Sequence, residues 1–475
     1  MSLCANRDAC VIVAAPLSFV IVSRIVSRKR AIVVSLVALM LAAPVARAAE
    51  VTRVVSAFDQ NDTFDFNLTA TWLHDVHTAA VNREFENNSD NIQLGKDLKY
   101  AQTTDVINLR TDFGVLWDVG LHVQLPIVIA SSNNLTFDSG VFATPNMMMP
   151  SMPRTNSTFV RDGIYPAYQA PSNTVFQSPT RSGPQSLGVG LNWAVFNERR
   201  DDTKPTWTLG FDAMLDIFKD QRFDPSNPNG NTATGLGYHQ LIWSTWVSKR
   251  FRYFDPYFGA SYMLPIRTNG SMFQNEGGGQ TNSAPQQTAA VVIGVEQIAW
   301  ENPATQQRVT VELRGHIEEH FAGRGYSELW EPLSGSSQCK AGSTDLTNCR
   351  ASLDQVTQST VSANGVLGYP ATTGAPYPGV SNIDAYGSFG GDLGLNVQVG
   401  KYIRFRSLFG LTVDAPHFIT NASAGIDANG DGQVNSADPR EANPVYRESI
   451  DIPGRRFKIE ESKDWHLVVE GSLMF

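Results

Sequence analysis

D-W-H-L-V-V-E-G-S-L-M-F, residues Asp464 to Phe475, ends the chain. Trp465, Leu467, Val469, Gly471, Leu473 and Phe475 fall on one face, and His466, Val468, Glu470, Ser472 and Met474 on the other. A period of two sends alternate side chains to opposite faces, so this is a strand with one mostly apolar face. The final residue is a phenylalanine. At the end of a strand that spans a bilayer, an aromatic ring sits at the headgroup level, where an amphipathic ring is favoured. The alternative is an edge strand of a soluble sandwich, which gives no reason for an exposed terminal aromatic.

The stretch resembles the closing strand of bacterial outer-membrane β-barrel proteins. That resemblance implies a partner, the barrel-assembly machinery, which reads the terminal Phe as part of its signal. The rest of the chain fits. Phe64, Phe66, Leu68, Ala70 and Trp72 alternate with polar residues, and the same pattern recurs over Ile107 to Trp117, Leu121 to Ile129, Leu187 to Val195, Trp207 to Ile217, Phe258 to Leu264 and Val291 to Val295. Tyr238 to Lys249 alternates poorly but reads as a strand. Arg308 to Phe321 is the cleanest, followed by Phe389 to Val399 and Ile403 to Val413. Pro126 lacks a donor for the ladder, so a bulge is expected there. With the closing strand the set is about twelve, an even number as single-chain bacterial barrels have.

Connections alternate in length. Residues 118–119, 197–205, 250–255, 301–307 and 400–401 are short; 76–101, 131–185, 219–237, 267–287, 322–382 and 416–462 are long. Transmembrane barrels sort short periplasmic turns from long external loops in this way. Aromatics collect at both ends: Trp117, Trp193, Trp207, Trp300, Tyr402 and Phe475 near the short turns, and Trp72, Phe218, Phe321, Phe418 and Trp465 near the long loops. The fold class expected is all-β, a transmembrane antiparallel up-and-down barrel of about twelve strands in the outer membrane, with lipid as its surroundings.

Residues 1–48 read as a signal peptide: Arg24, Arg28, Lys29 and Arg30 precede the apolar run Ala31 to Leu41, and Ala46-Arg47-Ala48 offers a cut after Ala48. The stretch before Lys29 is long for an n-region, which points to a start further downstream. Residues 49–62 are expected as a short periplasmic segment and 63–475 as the barrel. After Ala48 no apolar run approaches the roughly 18 residues a membrane helix needs. The formal net charge is -9 and no basic tract suggests nucleic acid. Cys339 and Cys349 are expected to form a disulfide, since exported chains oxidise nearby cysteines. No Cys-x-x-Cys motif suggests redox work.

Asp427-Ala-Asn429-Gly-Asp431-Gly432-Gln433-Val434-Asn435-Ser-Ala-Asp438 resembles the calcium loop of EF-hand and dockerin-type proteins. Oxygen ligands stand at positions 1, 3, 5 and 12 of that pattern, with Gly at 6 for the turn. The resemblance implies Ca2+ held by Asp427, Asn429, Asp431, the Gln433 carbonyl, Asn435 through water, and Asp438. Asp at position 12 departs from the EF-hand Glu but suits a dockerin. The likeness covers this loop alone, and a polar turn is the other reading.

The face opposite the apolar one is charged: Arg110, Asp112, Asp212, Asp216, Glu296, Arg308, Glu312, Arg314, His316, Glu318, Asp392, Arg404, Arg406 and Glu470 are expected to line the lumen. His316, Glu318 and His320 could hold a metal, but Arg308 and Arg314 share their face. Outer-membrane phospholipases carry a local His-x-Ser pattern, and none occurs here; Glu318-Glu319 and Asp201-Asp202 are poor candidates for an acidic protease site. The chain therefore reads as a channel for small solutes rather than an enzyme. A surface adhesin or structural barrel acting through its long loops is the alternative.

Overall fold

The computed structural model describes residues 49–59, 62–86, 91–139, 174–222, 230–274, 278–334, 379–438, 440–446 and 448–475. Twelve antiparallel strands close into a barrel. We label them β1 (Phe66–Glu86), β2 (Ile92–Leu116), β3 (Val119–Phe137), β4 (Leu187–Phe196), β5 (Thr206–Leu215), β6 (Tyr238–Ser248), β7 (Phe254–Arg267), β8 (Thr288–Asn302), β9 (Gln307–His320), β10 (Tyr386–Gln398), β11 (Ile403–Asp414) and β12 (Phe457–Met474). Each pairs with the next, and β12 pairs with both β11 and β1, which closes the ring and leaves no sheet edge. Among the described residues no helix is long and apolar enough to cross a membrane.

Within the ring the alternation predicted from the sequence sets the two faces. Outward residues are large, apolar and bare: Leu313 is 61% exposed, Ile293 63% and Trp117 60%. The alternate residues, such as Glu312, Asp392 and Thr310, are polar yet buried. A globular protein in water does the reverse. Aromatic residues mark both ends of the outward band, including Trp117, Trp300, Tyr402 and Phe475 at one and Trp72, Phe321 and Trp465 at the other. Lipid is the solvent that suits such a surface.

Most strands have 10 to 15 residues, but β1, β2, β3 and β12 have 21, 25, 19 and 18. A spanning strand needs about 9–11 residues, so these four project beyond the band at the long-loop end. The expected loop over 76–101 is therefore mostly ladder, with Val76 opposite Thr103 and Glu86 opposite Ile92. Alternation failed there for a physical reason. Above the band the outside meets water, and the inside meets a packed core that includes Val81, Leu98, Tyr100, Leu135, Phe457 and Ile459. The apolar residues change from the outer face to the inner one.

Bulges carry out that change on two strands. β3 has an extra residue between Val128 and Ala130, so Leu135 turns inward although Leu121 and Val123, of the same parity, face out. β12 is irregular between Glu460 and Lys463, where Glu461 adopts φ 53°. The bulge expected at Pro126 is not there. Pro126 stays in register opposite Asn108, just past the point where the ladder from β3 to β4 stops at Gln124.

Candidate functional site

The lumen is the candidate site, and one of its walls is ionic. On β9, Arg308, Thr310, Glu312, Arg314, His316, Glu318 and His320 point inward because Val309, Leu313 and Ile317 take the lipid face. The register sets Glu312 directly opposite Glu296. Two carboxylates so placed would repel, and each is met by a guanidinium. Arg308 lies 3.3 Å from Glu296, and Arg406 reaches Glu312 at 2.9 Å. The Tyr257 hydroxyl also donates to Glu312. Asp392 receives Arg314 at 2.7 Å and contacts His316 at 3.2 Å and His466. Arg404 meets Glu470 at 3.0 Å, and Arg110 meets Asp112 at 2.7 Å. Every arginine expected to line the lumen is thus paired on the wall itself. Of the other expected lining residues, Asp212 bonds His122, Glu318 lies 3.7 Å from His320, and Asp216 sits at the rim, accepting from the N–H groups of Leu236 and Gly237.

Above the Asp392 knot lies a group that strand-by-strand reading missed. Asp75 and His77 on β1 stand opposite His466 and Asp464 on β12. Two Asp-x-His tripeptides, at opposite ends of the chain, become neighbours only because the barrel closes. Ser462 touches His77 at 3.1 Å, which tests the enzyme question directly. Yet Ser462 is buried and its hydroxyl donates to Asp414 at 2.6 Å, so it is not an exposed nucleophile waiting on a base. Nearby, Tyr386 stacks between His320 and His417, with ring centroids 4.4 Å and 3.7 Å apart. Among the described residues no group of three or more His, Cys, Asp or Glu is arranged to hold a metal ion.

The wall from β5 to β8 is different. Gly210, Ser244, Ser261 and Ala290 form one cross-strand row of small inward residues. At other levels of this wall, and beyond it, glycine seats a larger neighbour flat. A Cβ at Gly294 would come within 2.3 Å of the Tyr257 ring, and one at Gly190 within 2.2 Å of the His122 imidazole. The long ionised groups of β8 to β12 thus crowd one side, and the row from Gly210 to Ala290 carries only small side chains at its level.

At the short-turn end, residues 49–56, part of the segment expected over 49–62, enter the barrel mouth. Ala49 N–H donates to the Ser248 hydroxyl at 3.3 Å, Thr52 shares a 2.7 Å hydroxyl contact with the same serine, and Glu50 N–H donates to Glu296 at 2.9 Å. The Glu50 carboxylate pairs with Arg404. At the other end a cored cap covers β1–β3. Met272, Phe273, Leu329, Trp330, Leu333, Val380, Ile383, Ile419 and Ile450 come from three different loops and pack on the inward apolar residues of the projecting strands.

The 427–438 loop is folded but exposed. Asp427 accepts the N–H groups of Gly430, Asp431 and Gly432 at 2.6, 3.2 and 2.8 Å, and Gly430 and Gly432 take φ 77° and 85°. Asn429 and Asp431 accept from the backbone of Asp431 and Gln433, and Asn435 from that of Ala437. The Asp438 carboxylate pairs with Arg440 at 2.7 Å, and hydrogen bonds from that arginine hold its pKa down at about 2. Backbone N–H groups likewise lower Asp427, Gly432 most of all. Residues 1–48, Cys339 and Cys349 lie outside the described residues, and with them the predicted leader and disulfide.

No family model and no curated protein matches the chain. Solved structures with a similar course include an outer membrane channel from Pseudomonas putida F1 (TM-score 0.36, 7% identity, 86% of this chain and 95% of that one). A FadL homologue from Pseudomonas aeruginosa gives 0.29 and 8%, over 87% and 90%. The outer membrane protease OmpT of Escherichia coli gives 0.22 and 6%, over 86% and 96%. At such scores the likeness adds nothing to what the barrel's own topology shows.

Proposed function

We propose that this protein is an outer-membrane channel that passes small polar solutes through an ion-paired lumen. One observation carries the reading: the same strands are bare and apolar outside and ionic inside. Charges at membrane depth are tolerated where they face a water-filled path or one another within the protein. On this reading the path runs beside the small row on β5 to β8, and self-paired arginines favour a weakly selective path over a charged trap. In this orientation the long loops are external and residues 49–56 occupy the periplasmic mouth. The assembly machinery would read the β12 strand.

Liposome swelling tests the reading. Vesicles carrying the refolded protein should swell in small sugars and amino acids faster than empty ones. Swelling no faster than that of empty vesicles would contradict it. The loop-based alternative has less in its favour, because the described loops pack over the barrel's own mouth.

A further inference from the structure

The polar centre of the external cap has a specific placement. Loop residues after β9 carry the short helix α1 (Trp330–Leu333), in which Leu333 and the preceding Leu329 are fully buried. Between them, in an apolar core, lies Glu331, also fully buried. Its carboxylate accepts the Asn133 amide at 2.8 Å and the Arg181 Nε at 3.1 Å. Asn133 belongs to β3. Around the ring, β3 and β9 are six steps apart in a barrel of twelve, so they stand on opposite walls. The loop that leaves β9 has therefore crossed the mouth and fastened to the far side.

Arg181 extends the fastening. It donates to the carbonyls of Ala233 at 3.0 Å and Arg222 at 3.2 Å, in the loop between β5 and β6, and its guanidinium lies 4.9 Å from the centre of the Trp330 ring. Asn133 and Arg181 thus reach the carboxylate directly, and the β5–β6 loop is tied in through Arg181. A buried charge needs such partners, and loses its footing when one is removed.

We infer that the Asn133–Glu331–Arg181 cluster is a latch that holds the segment 321–334, which leaves β9, across the external mouth, and that solute entry requires its release. This rests on the channel reading, but the latch has a readout of its own. Hydrogen exchange of the amides from Leu329 to Ser334 would be followed in the full-length protein in detergent, beside single-channel current. Glu331→Gln removes the charge and keeps the shape; Asn133→Ala removes only the far-wall bond, and serves if the first variant fails to assemble. Both should speed exchange at least tenfold and raise conductance at least twofold over wild type. Unchanged exchange overturns the latch, whatever the current. Faster exchange without current in any form leaves the fastening in place and overturns the channel reading on which its role depends. Faster exchange with wild-type conductance shows a fastening that does not gate, and overturns the inference.

Discussion

Arg406 and Glu312 show what a single residue does in this lumen. Glu312 is fully buried and draws its charge compensation from Arg406. Removing one partner of a buried pair leaves an uncompensated charge, so Arg406→Met should cost about 3–5 kcal/mol. The urea midpoint in lipid vesicles measures this, and a wild-type midpoint would mean that Glu312 is satisfied by water. The Asp427–Asp438 loop is legible as a motif, but its ligand geometry is not, since Arg440 claims Asp438 in a way no spacing rule foresees. Its calcium reading stands as a proposal. Calcium should slow protease cleavage of the loop, and Asp427→Ala with Asp431→Ala should abolish that protection while the barrel stays folded. Identical cleavage with calcium and with chelator would leave only a turn. The loop should also respond to acid. A carboxyl with a depressed folded-state pKa stabilises above its unfolded value of about 3.9 and loses that contribution as pH falls through about 2. Pepsin should therefore cut the loop increasingly between those limits; a flat rate across them would contradict the Asp438–Arg440 pairing.

Strands were the most legible part of the sequence, because inside the lipid band alternation is forced by two unlike solvents. Every barrel strand from β4 to β11 lies within a few residues of its expected place. The projecting parts of β1, β2 and β3 look like loops in the sequence, because there the apolar face is the inner one, as at Val81 and Leu98, and bulges break the period. The Asp75–His77–Asp464–His466 group was hidden for another reason: it needs the first strand beside the last. Two changes test the band. Leu313 faces outward at 61% exposure, and an arginine there should cost about 2–4 kcal/mol if it meets lipid near the midplane. A cost near zero for Leu313→Arg, the usual result for a water-exposed site, would oppose the membrane reading. Phe475 exchanges both backbone hydrogen bonds with Phe66, at 2.8 and 3.1 Å, and so ties the chain's end to β1 at closure. Deleting it should lower the amount of heat-modifiable barrel in the outer membrane; normal amounts would argue against its role in assembly.

As a whole the molecule is a lipid-faced ring with an ionic inner wall, a short segment seated in one mouth and a fastened cap on the other. The ring, its parity and its charged face could be read from sequence. The seated segment and the cap could not, since their contacts join Ala49 to Ser248 and Glu331 to Asn133 across distances that no local pattern encodes. The central claim is that the interior is a path. Single-channel current across a planar bilayer tests it most directly, comparing wild type with a chain lacking residues 49–56. The account predicts discrete steps in wild type and larger, steadier ones without the segment; a correctly folded barrel that stays silent in both forms would contradict it.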